Sequence, residues 1–266
     1  MFVQAGFFHF VELHSDPLGA LDAEIRAVNT ANSLIVLPEA FNLGRPYGSR
    51  PEERCAFERD WFISKLQERS REHRITFVSG ILDNPVAGER SRNSAYLIDR
   101  DDCRLICHKH TNDGTGHYAP CTAACDIENP MDSYGTCIMA IICKDIEEHR
   151  CDLLTASTEA SSAKQCFICI PAAMSYSGWI YHSDPGEHIN FGPLRPKGNT
   201  RIILANSLPT GPCFLWQGAK KQGTPQFRRL LLICPGEGDR LPAAVQGTGF
   251  LRDRYSLSPL SREQQS

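Results

Sequence analysis

The sequence has 266 residues, of which 41% are hydrophobic and 22% are charged, and its formal net charge is −3. These values are near the averages for globular proteins and argue against disordered, collagen-like and coiled-coil chains. No run of consecutive basic residues exceeds two, so nucleic acid is not an expected partner. No apolar run approaches the roughly 20 residues of a membrane span, and the N-terminus lacks the positive region of a signal peptide. We therefore expect a cytoplasmic protein without a membrane partner.

The first half of the chain alternates strand-like and helix-like segments. Asp16 and Pro17, followed by apolar residues at helical spacing, predict a helix over 16–32, and we expect a second helix at roughly 54–72. Short apolar or alternating runs predict strands at 2–10, 34–37, 75–82, 94–99 and 104–108. An Asp-rich turn joins the last two strands, which indicates a hairpin.

The second half continues the alternation after an irregular segment at 110–134. We predict a helix over 146–163 and strands at 138–143, 167–170, 201–206 and 229–234. The chain is rich in turn residues from about 236 onward. Because some neighbouring strands are linked by hairpins and others by helices, the pattern favours a single α/β domain over 1–266, with mixed sheets layered with helices.

Three residues that can carry chemistry stand at the ends of predicted strands. Glu39 follows LIVLP, Lys109 follows RLICH, and Cys143 follows IMAII. Open α/β sheets gather their ligands at the carboxyl ends of strands. A thiol attacks as the thiolate, a carboxylate can take its proton as a general base, and a lysine can stabilise the negative charge on the attacked group. Together these residues supply a nucleophile, a base and an electrophile.

These segments resemble the signature blocks of the nitrilase superfamily of carbon–nitrogen hydrolases. The family's glutamate lies in a hydrophobic-Pro-Glu motif, its lysine follows an Asn-Ser-Ala strand and a hairpin, and its cysteine ends an apolar strand as Cys-x-Asp. The matching stretches, in the same order, are LIVLPEAFNLG, RSRNSAYLIDRDDCRLICHKH and GTCIMAIICKDIEEHR. FICIPAAM and RPKGNTRIILAN resemble two further blocks, so the likeness extends from about residue 2 to about residue 255.

The resemblance implies a four-layer α-β-β-α sandwich that pairs as a homodimer or a larger homo-oligomer and needs neither cofactor nor metal. The implied reaction is hydrolysis of a small amide or N-carbamoyl compound through a thioester, because Cys-x-Asp is more typical of amidases and carbamoylases than of true nitrilases. Glu39, Lys109 and Cys143 would form the triad. The backbone N–H of Lys144 would contribute to an oxyanion hole, and Asp145 is a possible supporting residue.

One departure from the family pattern keeps a second function open. The family often carries another glutamate in the loop after the lysine, but the comparable stretch, NDGTGHYAP, contains only the carboxylate of Asp113. Asp113 is therefore a further candidate supporting residue. The alternative is a catalytically impaired scaffold with a binding or regulatory role, because a fold does not fix a function.

Two other readings have weaker support in the sequence. A Cys-His hydrolase could use His110, His117 or His149, but no nucleophile-elbow motif accompanies Cys143 or Cys137. A zinc site could draw on the cysteines and histidines of residues 103–125, although several of them fall in predicted strands with alternating faces.

Overall fold

The computed structural model describes residues 4–7, 16–26, 32–43, 58–83, 91–111, 131–133, 136–143, 145, 163, 165–173, 200–206, 213–221, 224–233 and 255–256. These residues form two α-helices and twelve strands. The helices are α1 (Pro17–Arg26) and α2 (Arg59–His73). The strands of the first half are β1 (Gln4–Phe7), β2 (Ser33–Leu37), β3 (Ile75–Leu82), β4 (Asn93–Ile98) and β5 (Cys103–His108). Those of the second half are β6 (Met131–Ser133), β7 (Thr136–Ala140), β8 (Gln165–Ala172), β9 (Thr200–Asn206), β10 (Cys213–Lys221), β11 (Thr224–Ile233) and β12 (Tyr255–Ser256).

Both helices form where the apolar spacing predicts them. The side chain of Asp16 caps α1, because its Oδ1 accepts a hydrogen bond of 2.8 Å from the backbone N–H of Gly19. In α2, Phe62, Leu66 and Ser70 are buried at intervals of four residues. Arg74 follows the last residue of the helix and caps it in a left-handed conformation with φ of 55°. Within the described ranges, no helix has the length and apolar character needed to cross a membrane.

The strands form two six-stranded mixed sheets. Sheet A has the order β12-β1-β2-β3-β4-β5, and sheet B has the order β6-β7-β8-β9-β10-β11. Read in these directions, both sheets show the same succession of pairings: antiparallel, parallel, parallel, antiparallel, antiparallel. The predicted hairpin of β4 and β5 is confirmed, and so is the prediction of an α/β fold with mixed sheets.

The core of the first half lies between sheet A and the two helices. Alternate residues of the central strands, including Ile35, Phe77 and Ile98, pack with Leu21 and Phe62 from the helices. The opposite face of sheet A meets sheet B, since β2 and β3 contact β8 and β9. The described residues thus supply a helix layer and two sheets. The fourth layer stays a prediction, because the proposed helix at 146–163 falls almost entirely outside the described residues.

The structure corrects the prediction for the strand before Cys143. The apolar run predicted a strand up to residue 143, but β7 ends at Ala140. At Cys143 itself, the backbone φ of 48° is incompatible with an extended strand. Strands β6, β10 and β12 were not predicted. The single-domain organisation over 1–266 remains a prediction.

Candidate active site

Four strand termini meet at one edge of sheet A. Strands β2 and β3 are parallel, so their carboxyl ends share that edge. The antiparallel partner β4 begins there, with Asn93 opposite Leu82, and β5 ends there, with His108 opposite Ser94. Glu39 therefore lies just after β2, Asn93 at the start of β4, and Lys109 just after β5. The topology alone brings a carboxylate, an amide and an ammonium group to one place.

Glu39 and Lys109 form a buried ion pair at this edge. The Lys109 Nζ and Glu39 Oε1 atoms are 2.7 Å apart, and both side chains are shielded from solvent. Oε1 also accepts a hydrogen bond of 2.5 Å from the Nδ2 of Asn93. Meanwhile no nitrogen or oxygen atom of the described residues donates to Oε2. One carboxylate oxygen is thus held by two donors, and the other is left available for a further partner.

The backbone around Glu39 is closely packed against β3. A Cβ atom placed on Gly80 would lie 2.6 Å from the Cα of Glu39 and 2.8 Å from the carbonyl oxygen of Pro38, so no side chain fits there. Ala40 has a φ of 51°, which turns the chain sharply after the glutamate. These features fix the main chain from which the Glu39 carboxylate projects.

Cys143 lies in a tight turn at the neighbouring edge of sheet B. The backbone N–H of Ile141 donates to the carbonyl of Cys169 in β8, at 3.1 Å, and the N–H of Asp145 donates to the carbonyl of Ile142, at 3.0 Å. Cys143 itself occupies the left-handed region with φ of 48°, which is uncommon for a residue with a side chain. Such conformations persist where the surroundings hold them, often at functional sites. Cys143 is buried, at 5% relative exposure.

The Cys143 thiol faces the ion pair. Burial raises its pKa well above the ordinary value, and the negative charge of Glu39 raises it further. The positive charge of Lys109 and the backbone N–H of Ala173 act in the opposite direction and lower the pKa. Burial alone also raises the pKa of Cys169, but no charged side chain contributes there. The charged surroundings therefore distinguish Cys143, and its resting form is the neutral thiol, which needs a base to react.

Asp145 connects the turn of Cys143 to the residues after Lys109. Its carboxylate accepts hydrogen bonds from the backbone N–H of His110, at 3.0 and 3.1 Å, and from that of Thr111, at 2.6 Å. The side chain is buried, and bonds from N–H groups to a carboxylate are stronger than those between neutral groups. Asp145 is therefore positioned to hold the nucleophile's turn and the lysine's strand end together.

The structure brings together three of the predicted triad positions and one supporting residue, namely Glu39, Lys109, Cys143 and Asp145. Asp113 and Lys144 lie outside the described residues. Asn93 was not predicted as a site residue, although it was part of the Asn-Ser-Ala segment that guided the choice of Lys109. The available signal was its position: it is a polar residue opening a strand whose partner, β5, ends at Lys109.

The described residues give little support to the zinc site or to the Cys-His hydrolase. No three side chains of His, Cys, Asp or Glu converge there as they would around a metal ion. Three of the predicted zinc candidates, His117, Cys121 and Cys125, fall outside the described ranges, and so does His149. Cys103, Cys143 and Cys169 are free thiols.

Comparison with solved structures shows which fold this arrangement belongs to. The NitN amidase from Nesterenkonia sp. AN1 superposes with a TM-score of 0.53 at 16% identity, covering 91% of this chain and 94% of the amidase. Nit3 from Saccharomyces cerevisiae, a member of branch 10 of the nitrilase superfamily, superposes with a TM-score of 0.55 at 15% identity over 88% of this chain and 90% of its own. The chain has the nitrilase fold. No protein-family model matches the sequence, and no curated protein matches it either.

A third structure with the nitrilase fold bears on cysteine chemistry. It is a glutamate-to-glutamine variant of the Nesterenkonia amidase in which acrylamide has added to the active-site cysteine. The TM-score is 0.53 at 16% identity, over 87% of this chain and 92% of the amidase. At this level of identity, the likeness establishes the fold of the present chain, and it confirms the α/β nitrilase-like fold that the sequence motifs imply.

Proposed function

We propose that the protein is a nitrilase-superfamily thiol hydrolase that cleaves the carbon–nitrogen bond of an amide or N-carbamoyl group. The observation that carries this proposal is that the two oxygens of the Glu39 carboxylate have different hydrogen-bond partners. Oε1 is held by Lys109 and Asn93, while Oε2 has no nitrogen or oxygen donor among the described residues and the Cys143 thiol faces the same carboxylate. A base with one oxygen fixed and one available is suited to take the proton of the thiol.

In the first step, Glu39 accepts the Cys143 proton while the sulfur attacks the carbonyl carbon of the substrate. The electron pair of the carbonyl bond moves to the oxygen, where the Lys109 ammonium stabilises it. A preorganised donor of this kind is typically worth about 10²–10³ in rate. The backbone N–H of residue 144, expected from the sequence, would be the second donor.

In the second step, the tetrahedral intermediate collapses and the carbon–nitrogen bond breaks. The leaving nitrogen takes the proton from Glu39 and departs as ammonia or an amine, leaving a thioester on Cys143. Glu39, again a carboxylate, then takes a proton from water as the water oxygen attacks the thioester. When the carbon–sulfur bond breaks, the proton returns to sulfur, and the acid product is released.

The raised pKa of Cys143 fits this sequence of steps. A thiol that is neutral in the resting enzyme reacts slowly with electrophiles other than the substrate. It becomes a nucleophile only when a substrate carbonyl is in place and Glu39 takes the proton. We also propose, on the strength of the fold and the sequence motifs, that the protein works in the cytoplasm as a homodimer.

The test is ammonia release by the purified protein from a panel of aliphatic amides, ω-amides, N-carbamoyl amino acids and nitriles, beside Cys143→Ala. Release that disappears in the variant supports the thiol hydrolase and identifies the substrate class. Release that persists in Cys143→Ala contradicts the mechanism. A folded wild-type protein that releases nothing from any compound favours the impaired scaffold, for which the absence of a glutamate in residues 112–120 already argues.

A further inference from the structure

Asn93 holds two members of the triad at once. Its side-chain Nδ2 donates to Oε1 of Glu39 at 2.5 Å, and its backbone carbonyl accepts a hydrogen bond of 2.7 Å from the backbone N–H of Lys109. The residue is buried, at 1% relative exposure. Asn93 therefore links the glutamate to the lysine.

The direction of the amide is fixed by chemistry. An asparagine can present either its NH₂ or its carbonyl oxygen, but only the NH₂ can donate to a carboxylate. The Oδ1 atom accepts no hydrogen bond from the described residues. The amide is therefore oriented by Glu39, and in return it occupies the oxygen that also binds Lys109.

We propose that Asn93 is a positioning residue that selects which oxygen of Glu39 acts as the base. With Oε1 committed to Asn93 and Lys109, the carboxylate cannot rotate to offer that oxygen to the thiol, so proton transfer runs through Oε2. This inference rests on the proposed function, since it assigns a role to Asn93 within the same site.

The charges around the carboxylate define what a change at Asn93 would do. Lys109 faces Glu39 from the end of β5, and Cys143 faces it from the turn after β7. Asn93 is the neutral donor from β4. Removing its N–H withdraws stabilisation from the carboxylate, whereas replacing it by a second carboxylate adds a negative charge that Glu39 must share a proton with.

The first variant is Asn93→Ala. Loss of the orienting bond lowers kcat by about 10- to 100-fold, as misplacement of a catalytic group does, while KM changes little because Asn93 does not contact the substrate. The matched control is Ser94→Ala, the next residue of the same strand, which is also buried but donates to Asp83 instead. It should leave kcat and the pH profile as in the wild type.

The second variant is Asn93→Asp, which distinguishes positioning from packing. When the new side chain is protonated, it can donate to Oε1 much as the amide does. When it loses that proton, it repels Glu39. We therefore expect activity at mildly acidic pH and a new fall in kcat as pH rises, a limb that the wild type and Ser94→Ala lack. Wild-type kcat and pH profile in both Asn93 variants would overturn the proposal, and so would losses equal to that of Ser94→Ala.

Alkylation of Cys143 by iodoacetamide, followed by peptide mass spectrometry, gives a readout without turnover. Asn93→Asp should slow alkylation increasingly above neutral pH, because the added charge disfavours the thiolate. An altered alkylation profile in a protein that releases no ammonia would support the role of Asn93 while the proposed hydrolysis fails. An unaltered profile would overturn it in either case.

Discussion

Two buried carboxylates follow neighbouring parallel strands of sheet A, and they are used in opposite ways. Glu39 follows β2, and Asp83 follows β3. Both oxygens of Asp83 lie near the Tyr96 hydroxyl, at 3.0 and 3.3 Å, and Oδ2 also accepts from the Ser94 hydroxyl at 2.8 Å. In Glu39, Asn93 and Lys109 both donate to Oε1, and no nitrogen or oxygen of the described residues donates to Oε2.

The difference arises from the alternation of β4. Asn93 and Ser94 are consecutive, so they point to opposite faces of the sheet. Asn93 reaches Glu39 on one face, whereas Ser94 and Tyr96 reach Asp83 on the face that packs against the helices. A buried polar group without a partner costs stability, and native proteins satisfy nearly all of them. An oxygen left open beside a thiol and a lysine is therefore a sign of chemistry, whereas Asp83 is a structural carboxylate.

The largest effect should separate the two carboxylates directly. Glu39→Gln removes the general base, so we expect kcat/KM for ammonia release to fall by about 10²–10⁴-fold. Asp83→Asn should retain a rate close to that of the wild type, because it does not contact the reacting groups. Steady-state assays on both variants, with circular dichroism to verify folding, provide the measurement. Equal losses would show that the comparison is misread.

Loss of the lysine from the buried ion pair should lower the stability of the protein. Lys109→Met leaves the Glu39 carboxylate buried without its counter-charge, so we expect a loss of about 3–5 kcal/mol in the free energy of unfolding. The double variant Glu39→Gln/Lys109→Met should lose less than the sum of the two single variants, because neither charge is then left unpaired. Urea denaturation of all three checks this. Additive losses would argue against a coupled pair.

The bridge made by Asp145 is the next contact to break. Asp145→Asn keeps one acceptor oxygen and removes the charge, which should cost about 1.5–3 kcal/mol for bonds to a charged group. Asp99→Asn is the matched control, since Asp99 Oδ1 also accepts from two backbone N–H groups, those of Asp101 and Asp102, in an open turn. Urea denaturation should show the larger loss for Asp145→Asn, and only that variant should lower kcat. A larger loss of stability in Asp99→Asn than in Asp145→Asn would contradict a role for Asp145 in the site.

The variant Glu39→Gln should change the reactivity of the Cys143 thiol toward alkylation in the direction opposite to its effect on turnover. The carboxylate raises the pKa of Cys143 and Lys109 lowers it, so Glu39→Gln leaves the lowering influence in place. Each unit by which the pKa falls increases the thiolate fraction about tenfold near neutral pH. Alkylation by iodoacetamide at pH 8 should therefore become faster in Glu39→Gln even as ammonia release becomes slower. Cys169, whose pKa is raised by burial alone, serves as the internal control, and slower alkylation of Cys143 would contradict the electrostatic account.

The smallest effect should come from the structural carboxylate. Tyr96→Phe removes a hydroxyl that donates to Asp83, and we expect a loss of about 1 kcal/mol, the usual net value of such a bond. kcat and KM should remain at their wild-type values. Thermal unfolding and a single assay suffice. A fall in kcat comparable to that of Asn93→Ala would mean that the two faces of β4 are not independent.

The sequence predicted the parts of the site that local patterns encode. Apolar strands ending at Pro38, His108 and Ile142 placed Glu39, Lys109 and Cys143 at sheet edges, because a buried strand followed by a polar residue is a local signal. The roles of Asn93 and Asp145 were not accessible in this way. Asn93 contacts Glu39 across 54 positions of the chain, and Asp145 contacts Thr111 across 34, so only the assembled sheets reveal them.

The fold was predictable to a similar extent. β3 was predicted with its observed bounds because its eight residues are all apolar or small and nearly all buried. The end of the run before Cys143 was misjudged because hydrophobicity reports burial and not backbone conformation, and Ile141 and Ile142 are buried without being in a strand. Strand β10 was missed although it pairs with its chain neighbours β9 and β11, because its sequence, CFLWQGAKK, has only a short apolar run and ends in small and basic residues.

The hydrogen bonds of Asp145 make the active site sensitive to the relative position of the two sheets. The turn after β7 belongs to sheet B, and the N–H groups bound by the Asp145 carboxylate follow β5 of sheet A. If the two sheets slid past each other by a few ångströms, most apolar contacts between them would re-form with new neighbours, since such contacts are not directional. The carboxylate bonds, which depend on distance and angle, would not. Catalysis should thus be lost at a smaller distortion than secondary structure is, and activity would be the first property to disappear under mild heat or denaturant.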